Sequence, residues 1–175
     1  MTSFRLAVSA ALISFLLPVG PGGISSQAAE IDTSAEYAFV TDFASGKVLT
    51  EKQPDMPMKP ASMAKIMTVY IAFERIADGS LSLDDTFLIS EKAWRKGGSK
   101  TFVEVGKQVT VRDLLFGIVV QSGNDAAIAI AEGISGTEDG FAEEMNYVAR
   151  KLGMRNTVFR NSTGWPDPEQ FTTAR

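Results

Sequence analysis

The sequence predicts an α+β fold, with strands first and a run of helices after them. Between residues 36 and 52, β-branched and aromatic residues stand on both sides of a turn. Downstream of a proline-rich loop, apolar residues recur at helical spacing, and capping residues and glycines divide the remainder into successive helices. The chain is therefore expected to be a strand segment joined to a mostly helical block.

The first predicted element is a hairpin. Tyr37, Phe39 and Val40 favour a strand, the stretch ASGK supplies the turn, and a second strand begins at Val48. The next segment, KQPDMPMKP, contains three prolines within seven residues and is predicted to be loop.

A helix is predicted at residues 62–78. Ile66, Val69 and Phe73 recur there at steps of three and four residues, and Gly79 is a suitable stop. After it, the stretch SEKAWRKGG predicts a short helix, and the stretches TFLIS and TFVEVGKQV on either side of it predict extended pieces.

Further helices follow in the second half of the chain. Thr110 caps the first of them, with Asp113 completing a weak capping box. That helix, residues 111–121, is apolar almost all round and is expected to be buried. The remaining pattern predicts a helix at residues 124–132, closed by Gly133, and another that begins at Thr137 or Glu138 and ends near residue 153.

Composition excludes several classes of function. The 175 residues carry a net charge of −4, which argues against nucleic acid as a partner. The chain has no cysteine, so it has neither a disulfide nor a thiol nucleophile. It also has no histidine, which excludes Ser-His-Asp catalysis and nearly every zinc site. A nucleophilic mechanism would need another base, and lysine is the main candidate.

Residues 1–29 are predicted to be a secretory signal peptide. Arg5 supplies the positive region, LAVSAALISFLLPV the apolar region, and SSQAA the small-residue end. The apolar run is short for a membrane span, and the alternative is a buried N-terminal helix. Residues 30–175 would then form one domain, exported to the periplasm or cell envelope.

The stretch SMAK places Ser62 three residues before Lys65 at the start of an apolar helix. Positions three apart share a helix face, so the pair could be a nucleophile beside its base. The backbone N–H of a serine at a helix start is also free to donate to an oxyanion. The alternative is that Ser62 only caps the helix and Lys65 extends to solvent.

A second candidate is the stretch QSGNDAA between two predicted helices. Ser122 and Asn124 would project from a tight turn held by Gly123. The alternative is a plain helix–helix connection in which Asn124 or Asp125 is the N-cap.

Taken together, the two motifs resemble the serine penicillin-recognising enzymes, in which Ser-x-x-Lys precedes a Ser-x-Asn motif. The flanking stretches PASMAKIMT, VRDLL, MNYVARKLGMRNTVFRNSTG and FTTAR are similar to low-molecular-mass penicillin-binding proteins of the peptidase S11 family, the serine-type D-alanyl-D-alanine carboxypeptidases. The resemblance covers essentially all of the chain after the signal and implies a β-lactamase/transpeptidase-like fold. Asn161 and Gly164 resemble the family's loop beside the site, although Trp165 stands where a leucine is usual.

The resemblance implies a role for each site residue. Ser62 would be the acylated nucleophile and Lys65 its general base. Ser122 would carry protons between Lys65 and the departing D-alanine, and Asn124 would bind the substrate amide and help position Lys65. The substrates would be peptidoglycan stem peptides ending in D-Ala-D-Ala. Water would release the acyl-enzyme, β-lactams would acylate the same serine, and neither a metal nor a cofactor is expected.

The family's third motif, Lys-Thr-Gly, has no counterpart here. Lys100-Thr101 is followed by Phe102 and precedes Ser122, so we interpret it as an accidental match. Nothing after Gly153 predicts the strands that would extend the hairpin. The sequence is therefore expected to be an N-terminal portion, without the later sheet strands and without the region through which many members associate with the membrane.

Two other functions stay open. A related β-lactamase or DD-endopeptidase would share the first two motifs, and a non-catalytic remnant that binds a stem peptide or a partner would explain the missing third one. Class A β-lactamases use a glutamate in deacylation. The candidates here have the pattern of ordinary helix residues: Glu132, Glu138, Glu143 and Glu144.

Overall fold

The computed structural model describes residues 33–175, so the predicted signal peptide lies outside the described residues. Two strands come first, two more alternate with the first helices, and three consecutive helices follow, in agreement with the predicted order. The elements, in chain order, are β1 (Ala38–Thr41), β2 (Val48–Lys52), a 3₁₀ turn (Ala61–Ala64), α1 (Lys65–Ala77), β3 (Thr86–Leu88), α2 (Glu91–Arg95), β4 (Gln108–Thr110), α3 (Val111–Gln121), α4 (Asn124–Ser135) and α5 (Glu138–Lys151).

The four described strands form two small antiparallel sheets. β1 pairs with β2 as the predicted hairpin, with Phe39 opposite Glu51. The Asp42 carboxylate accepts the Ser45 N–H at 2.8 Å and holds the turn between them. β3 pairs with β4, so the two extended pieces on either side of α2 are neighbours.

Helix α4 is the centre of the described molecule. It contacts α1, α2, α3, α5 and β3, and residues 124–131 are all buried. The sequence prediction that Gly133 ends this helix is wrong, because α4 continues to Ser135 and ends at Gly136. Gly133 instead lies against the ring of Phe87, where a Cβ atom would overlap the aromatic carbons.

The buried apolar side chains fall into two clusters that both include residues of α4. We call them the α3 cluster and the α5 cluster. The α3 cluster joins α4 to α1, α2 and α3 through Leu114, Ile118 and Ile128, among others. The α5 cluster joins α4 to α1 and α5 through Ile71, Phe141 and Met145, among others.

The prediction that α3 is buried all round is also wrong. Leu114 and Ile118 face α4, but Phe116 is 62% exposed and Val120 is 73% exposed. The reason is that α3 packs on its neighbours through one side only, so its other apolar side remains at the surface of the described residues.

Two predicted caps are present. Thr110 Oγ1 accepts the Asp113 N–H at 3.1 Å, as expected for the start of α3. Thr137 Oγ1 accepts the Gly140 N–H at 3.0 Å and begins α5. Such caps satisfy N–H groups that have no partner within the helix.

The segment after α5 returns to the 3₁₀ turn. Isolated antiparallel bridges join Val158 to Phe171 and Met58 to Thr172. The Lys59 ammonium group donates to three backbone carbonyls of this segment, those of residues 167, 168 and 170, at 2.8, 2.9 and 3.0 Å. These contacts bring residues 161–164, the site loop, against the start of α1.

Among the described helices, none combines the length and hydrophobicity that a membrane span requires.

Candidate active site

Ser62 lies in the 3₁₀ turn that precedes α1. The predicted helical region therefore begins at the correct place, near Ser62. Its first turn is 3₁₀, however, and the α-helix begins only at Lys65. The Ser62 side chain caps neither helix, which removes the alternative of a plain capping serine. In a 3₁₀ turn the side chains at positions i and i+3 are eclipsed, so this geometry aligns Ser62 with Lys65.

Lys65 is buried, with only 4% of its surface exposed. Its Nζ lies 3.2 Å from Ser62 Oγ and donates to the Thr163 carbonyl oxygen at 2.8 Å. Burial lowers the pKa of Lys65 from 10.5 to about 8, because the charged form loses hydration. An appreciable fraction of the amine is then neutral near pH 8, and a neutral amine can accept the Ser62 proton.

The backbone around Ser62 is tightly constrained. Ala61 has a left-handed φ of 47°, which non-glycine residues rarely adopt. Gly164 in the site loop has a φ of 78°, and a Cβ there would overlap the Ala61 carbonyl group. Within residues 33–175 the Ser62 N–H donates no hydrogen bond, so it is available to an oxyanion.

Ser122 joins this site from the other side. It ends α3 in a left-handed conformation with a φ of 55°. The sequence prediction assigned the tight turn to Gly123, whose φ is instead −59°. A groove of about 340 Å³ is lined by Ser62, Lys65 and Ser122, with apolar walls formed by Ile66, Val69, Ile118 and Val119. The structure thus brings together three of the four predicted site residues.

Asn124, the fourth, does not line this groove. Its Nδ2 donates to the Gly97 carbonyl at 2.8 Å, and within the described residues it makes no hydrogen bond with Lys65. The observed partner of the Lys65 amine is the Thr163 carbonyl instead. Sequence reasoning missed this partner because a backbone carbonyl has no residue-type signature.

Asp125 is a second residue whose part the sequence did not reveal. It is fully buried, and its carboxylate accepts the N–H groups of Thr101, Phe102 and Ala126 at 2.8, 2.9 and 2.9 Å. It is not an N-cap, since Gly123 occupies that position. Asp125 therefore anchors the segment before β4 to the start of α4.

The Lys100-Thr101 pair contributes nothing to the groove. The Lys100 ammonium group donates to the Trp94 carbonyl at 2.5 Å, and neither residue is part of the groove lining. The interpretation of this pair as an accidental match to the family's third motif agrees with its position.

A comparison with protein-family models matches residues 24–175 to peptidase S11, described as D-alanyl-D-alanine carboxypeptidase. This chain belongs to that family. The resemblance drawn from the two motifs and their flanks is confirmed.

Curated relatives within the family cover most of this chain. The D-alanyl-D-alanine carboxypeptidase DacF of Bacillus subtilis is 38% identical over 163 residues, which are 91% of this chain and 42% of the relative. DacC of Escherichia coli is 41% identical over 140 residues, which are 77% of this chain and 35% of the relative. The chain thus spans less than half the length of these relatives.

Solved structures of family members have the same fold. The D-alanyl-D-alanine carboxypeptidase DacD from Francisella tularensis superposes with a TM-score of 0.82 at 45% identity, over 85% of this chain and 36% of that one. Penicillin-binding protein 5 from Haemophilus influenzae gives a TM-score of 0.79 at 38% identity, over 82% of this chain and 42% of that one. The predicted fold class, α+β of the β-lactamase/transpeptidase type, is confirmed.

Proposed function

We propose that this chain belongs to a serine D-Ala-D-Ala carboxypeptidase that trims peptidoglycan stem peptides. The observation that supports the proposal most directly is the contact of a buried lysine amine with Ser62. The amine lies 3.2 Å from Ser62 Oγ, and its pKa is lowered to about 8. Family membership supplies the reaction class, because relatives of this chain are named as D-alanyl-D-alanine carboxypeptidases.

The proposed reaction begins at Ser62 Oγ. Neutral Lys65 accepts the hydroxyl proton while Oγ attacks the carbonyl carbon of the penultimate D-alanine. An ester bond to Ser62 forms, the peptide C–N bond breaks, and the departing D-alanine takes the proton from Lys65 through Ser122. Water then hydrolyses the ester and restores the serine. No step in this scheme calls for a metal or a cofactor.

Two features of the site support this scheme. The free N–H of Ser62 can donate to the oxyanion that forms on the attacked carbonyl, and a missing donor of this kind costs about 2.7–4 kcal/mol in other enzymes. Ser122 lines the same groove as Ser62 and Lys65, so its hydroxyl is available to carry a proton toward a leaving group. Asn124 is proposed to bind the substrate amide, which would require its buried side chain to leave the Gly97 carbonyl and turn toward the groove.

The test is covalent labelling of the full chain with a fluorescent penicillin, together with an assay of D-alanine release from a D-Ala-D-Ala peptide. We expect labelling of the native chain and its loss in Ser62→Ala, because β-lactams are proposed to acylate the same serine. Ser80→Ala is the matched control, since Ser80 is exposed, follows the C-terminal end of α1 and is not part of the groove lining. A label that persists in Ser62→Ala would refute the assignment of the nucleophile.

Endopeptidase activity is a second candidate, because one relative carries that name. The D-alanyl-D-alanine endopeptidase of Pseudomonas aeruginosa is 36% identical over 129 residues, which are 73% of this chain and 40% of the relative. Cleavage of a cross-linked dimeric stem peptide, without release of D-alanine from the monomer, would favour this candidate. Rapid turnover of the penicillin would instead indicate a β-lactamase.

The proposed site of action is the cell envelope. The substrate class lies outside the cytoplasm, and the predicted signal peptide, residues 1–29, would direct export. Detection of the label in the envelope fraction of cells that express the chain, and its absence after deletion of residues 2–29, would test this localisation.

A further inference from the structure

The geometry points to Glu138 as a positioning residue for Lys65, one that acts by fixing the site loop whose carbonyl holds the lysine amine. This inference rests on the proposed function, because it concerns the residue that would be the general base. Glu138 does not line the groove and forms no hydrogen bond with Ser62 or Lys65. Its effect would therefore pass through the loop.

Glu138 is the first residue of α5, and its sequence pattern is that of an ordinary helix residue. In the structure it is only 6% exposed. Its Oε1 accepts both the backbone N–H and the hydroxyl of Ser162, at 3.1 and 2.8 Å. Its Oε2 pairs with Lys92 Nζ of α2 at 2.8 Å. A buried carboxylate is costly unless it is satisfied in this way, so its presence here calls for a reason.

Ser162 is held from two sides. Glu138 binds its N–H and hydroxyl from α5, while Thr68 Oγ1 donates to its carbonyl oxygen at 2.7 Å from α1. Ser162 and Thr68 are both completely buried, so neither set of hydrogen bonds can be replaced by water without opening the loop.

The next residue along the loop is Thr163, whose carbonyl accepts from Lys65 Nζ. Thr68 lies three positions after Lys65, so the two side chains share a face of α1. They bind two successive carbonyls of the site loop, those of Ser162 and Thr163. Any movement of Ser162 therefore moves the acceptor that orients the lysine amine.

Few charged side chains surround the hydrogen bonds of the site loop, and those few lie around Glu138. Lys92 is paired with Glu138, and Glu132, Asp139 and Lys96 lie within electrostatic reach of that pair. For Lys65 itself, burial is the cause of the lowered pKa, with no charged group among the described residues contributing to it. The loop thus affects Lys65 by excluding water and fixing its direction.

The experiment measures the Lys65 amine directly. In the full chain with ¹³Cε-labelled lysine, the resonance of Lys65 is assigned from its absence in Lys65→Arg and followed by NMR against pH. Glu138→Ala should loosen the loop, admit water and raise the pKa of Lys65 by about one unit. The neutral fraction at pH 7, and with it the rate of penicillin acylation, should fall about tenfold.

Two further variants separate the hydrogen bonds from the charge. Glu138→Gln keeps an oxygen acceptor for both Ser162 donors, and Lys92 is 52% exposed, so its ammonium group can turn to solvent. This variant should keep the native Lys65 titration. Thr68→Val removes the hold on the Ser162 carbonyl from the other side. It should shift the titration in the same direction as Glu138→Ala, and it serves as the test if Glu138→Ala does not fold.

Glu144→Gln is the matched control, because it removes an ion pair with Arg75 from the same helix without touching the loop. It should lower the Tm and leave the Lys65 titration unchanged. The inference is overturned if Glu138→Ala or Thr68→Val lowers the Tm with no shift at Lys65, or if Glu138→Gln shifts it as strongly as Glu138→Ala. The NMR titration does not depend on turnover. If the native chain took no penicillin label, the proposed function would be refuted, but the titration of Lys65 could still be compared between the variants.

Discussion

At the scale of single residues, the site depends on a close approach between Gly164 and Ala61. The glycine has a positive φ, and any side chain there would overlap the carbonyl group of the residue before Ser62. Both the positive φ and the steric overlap are properties of the folded backbone, and neither depends on which substrate is bound. The packing of the loop on the turn that carries Ser62 therefore requires glycine at this position.

Gly164→Ala is expected to slow penicillin acylation about a hundredfold, because a displacement of about 1 Å at reacting atoms has effects of that size. Gly46→Ala is the matched control: its φ is 70°, but no atom lies within 4 Å of the added methyl group. The control should lose about 1–2 kcal/mol of stability from the strained backbone and keep its acylation rate. Equal rates in both variants would show that the contact with Ala61 is unimportant.

The pKa of Lys65 makes a prediction for stability. The pKa of Lys65 is about 8 in the folded chain, and the value of an unperturbed lysine, 10.5, applies to the unfolded chain. Between these two pH values the unfolded chain therefore binds more protons than the folded one. Stability should therefore rise with pH from about 8 to about 10.5, by at most about 3 kcal/mol. The measurement is urea unfolding at both ends of that range, with Lys65→Met as the comparison.

Other lysines and tyrosines also titrate in this range, so the informative quantity is the difference between the native chain and Lys65→Met. That difference should grow with pH in favour of the native chain. A constant difference would mean that the pKa of Lys65 is the same in the folded and unfolded chains.

At the scale of elements, the contact between β3 and α4 depends on Gly133. Alanine has the higher helix propensity, so a sequence-based argument predicts that Gly133→Ala would stabilise α4. The structure predicts the opposite, because a methyl group would enter the ring of Phe87. We expect a loss of about 1–3 kcal/mol, the usual cost of overpacking, measured by chemical denaturation.

The same contact allows a check by a double-mutant cycle. In a Phe87→Ala background the space beside Gly133 is open, and Gly133→Ala should then be neutral or slightly stabilising. If Gly133→Ala lowered the stability by the same amount in that background, the loss would come from the helix itself and not from the contact with Phe87.

At the scale of the whole described molecule, the two core clusters share α4, so we expect them to unfold as one cooperative unit. Leu114 in the α3 cluster and Met145 in the α5 cluster are both completely buried. Truncation of either to alanine should cost about 2–5 kcal/mol and move a single unfolding transition. Tryptophan fluorescence and far-UV circular dichroism should report the same midpoint in both variants, and separate midpoints would contradict a single unit.

Much of this arrangement could be predicted from the sequence, because it depends on residues that are close together in the chain. The hairpin, the caps at Thr110 and Thr137, and the pairing of Ser62 with Lys65 all depend on residues a few positions apart. The exposed side of α3 could not be predicted in this way, since hydrophobic patterning does not say which neighbour covers an apolar face.

The remaining contacts of the site join residues far apart in the chain. Lys65 and Thr163 are separated by 98 positions, and Glu138 and Ser162 by 24. The partner of Lys65 is a backbone carbonyl, and the partner of Glu138 is a serine in a loop. Neither leaves a spacing pattern, so only the folded chain shows that Glu138 binds the site loop.

None of residues 161–164 lines the groove, and this has a consequence for antibiotic selection. If the proposed acylation of Ser62 is what a β-lactam exploits, slower acylation can arise without any change to the surface that the drug meets. Substitutions at Glu138, Thr68 or Gly164 would alter the reactivity of Lys65 or the position of Ser62 and leave the groove lining intact. Resistant variants selected under penicillin should therefore include changes at these anchors as well as in the groove.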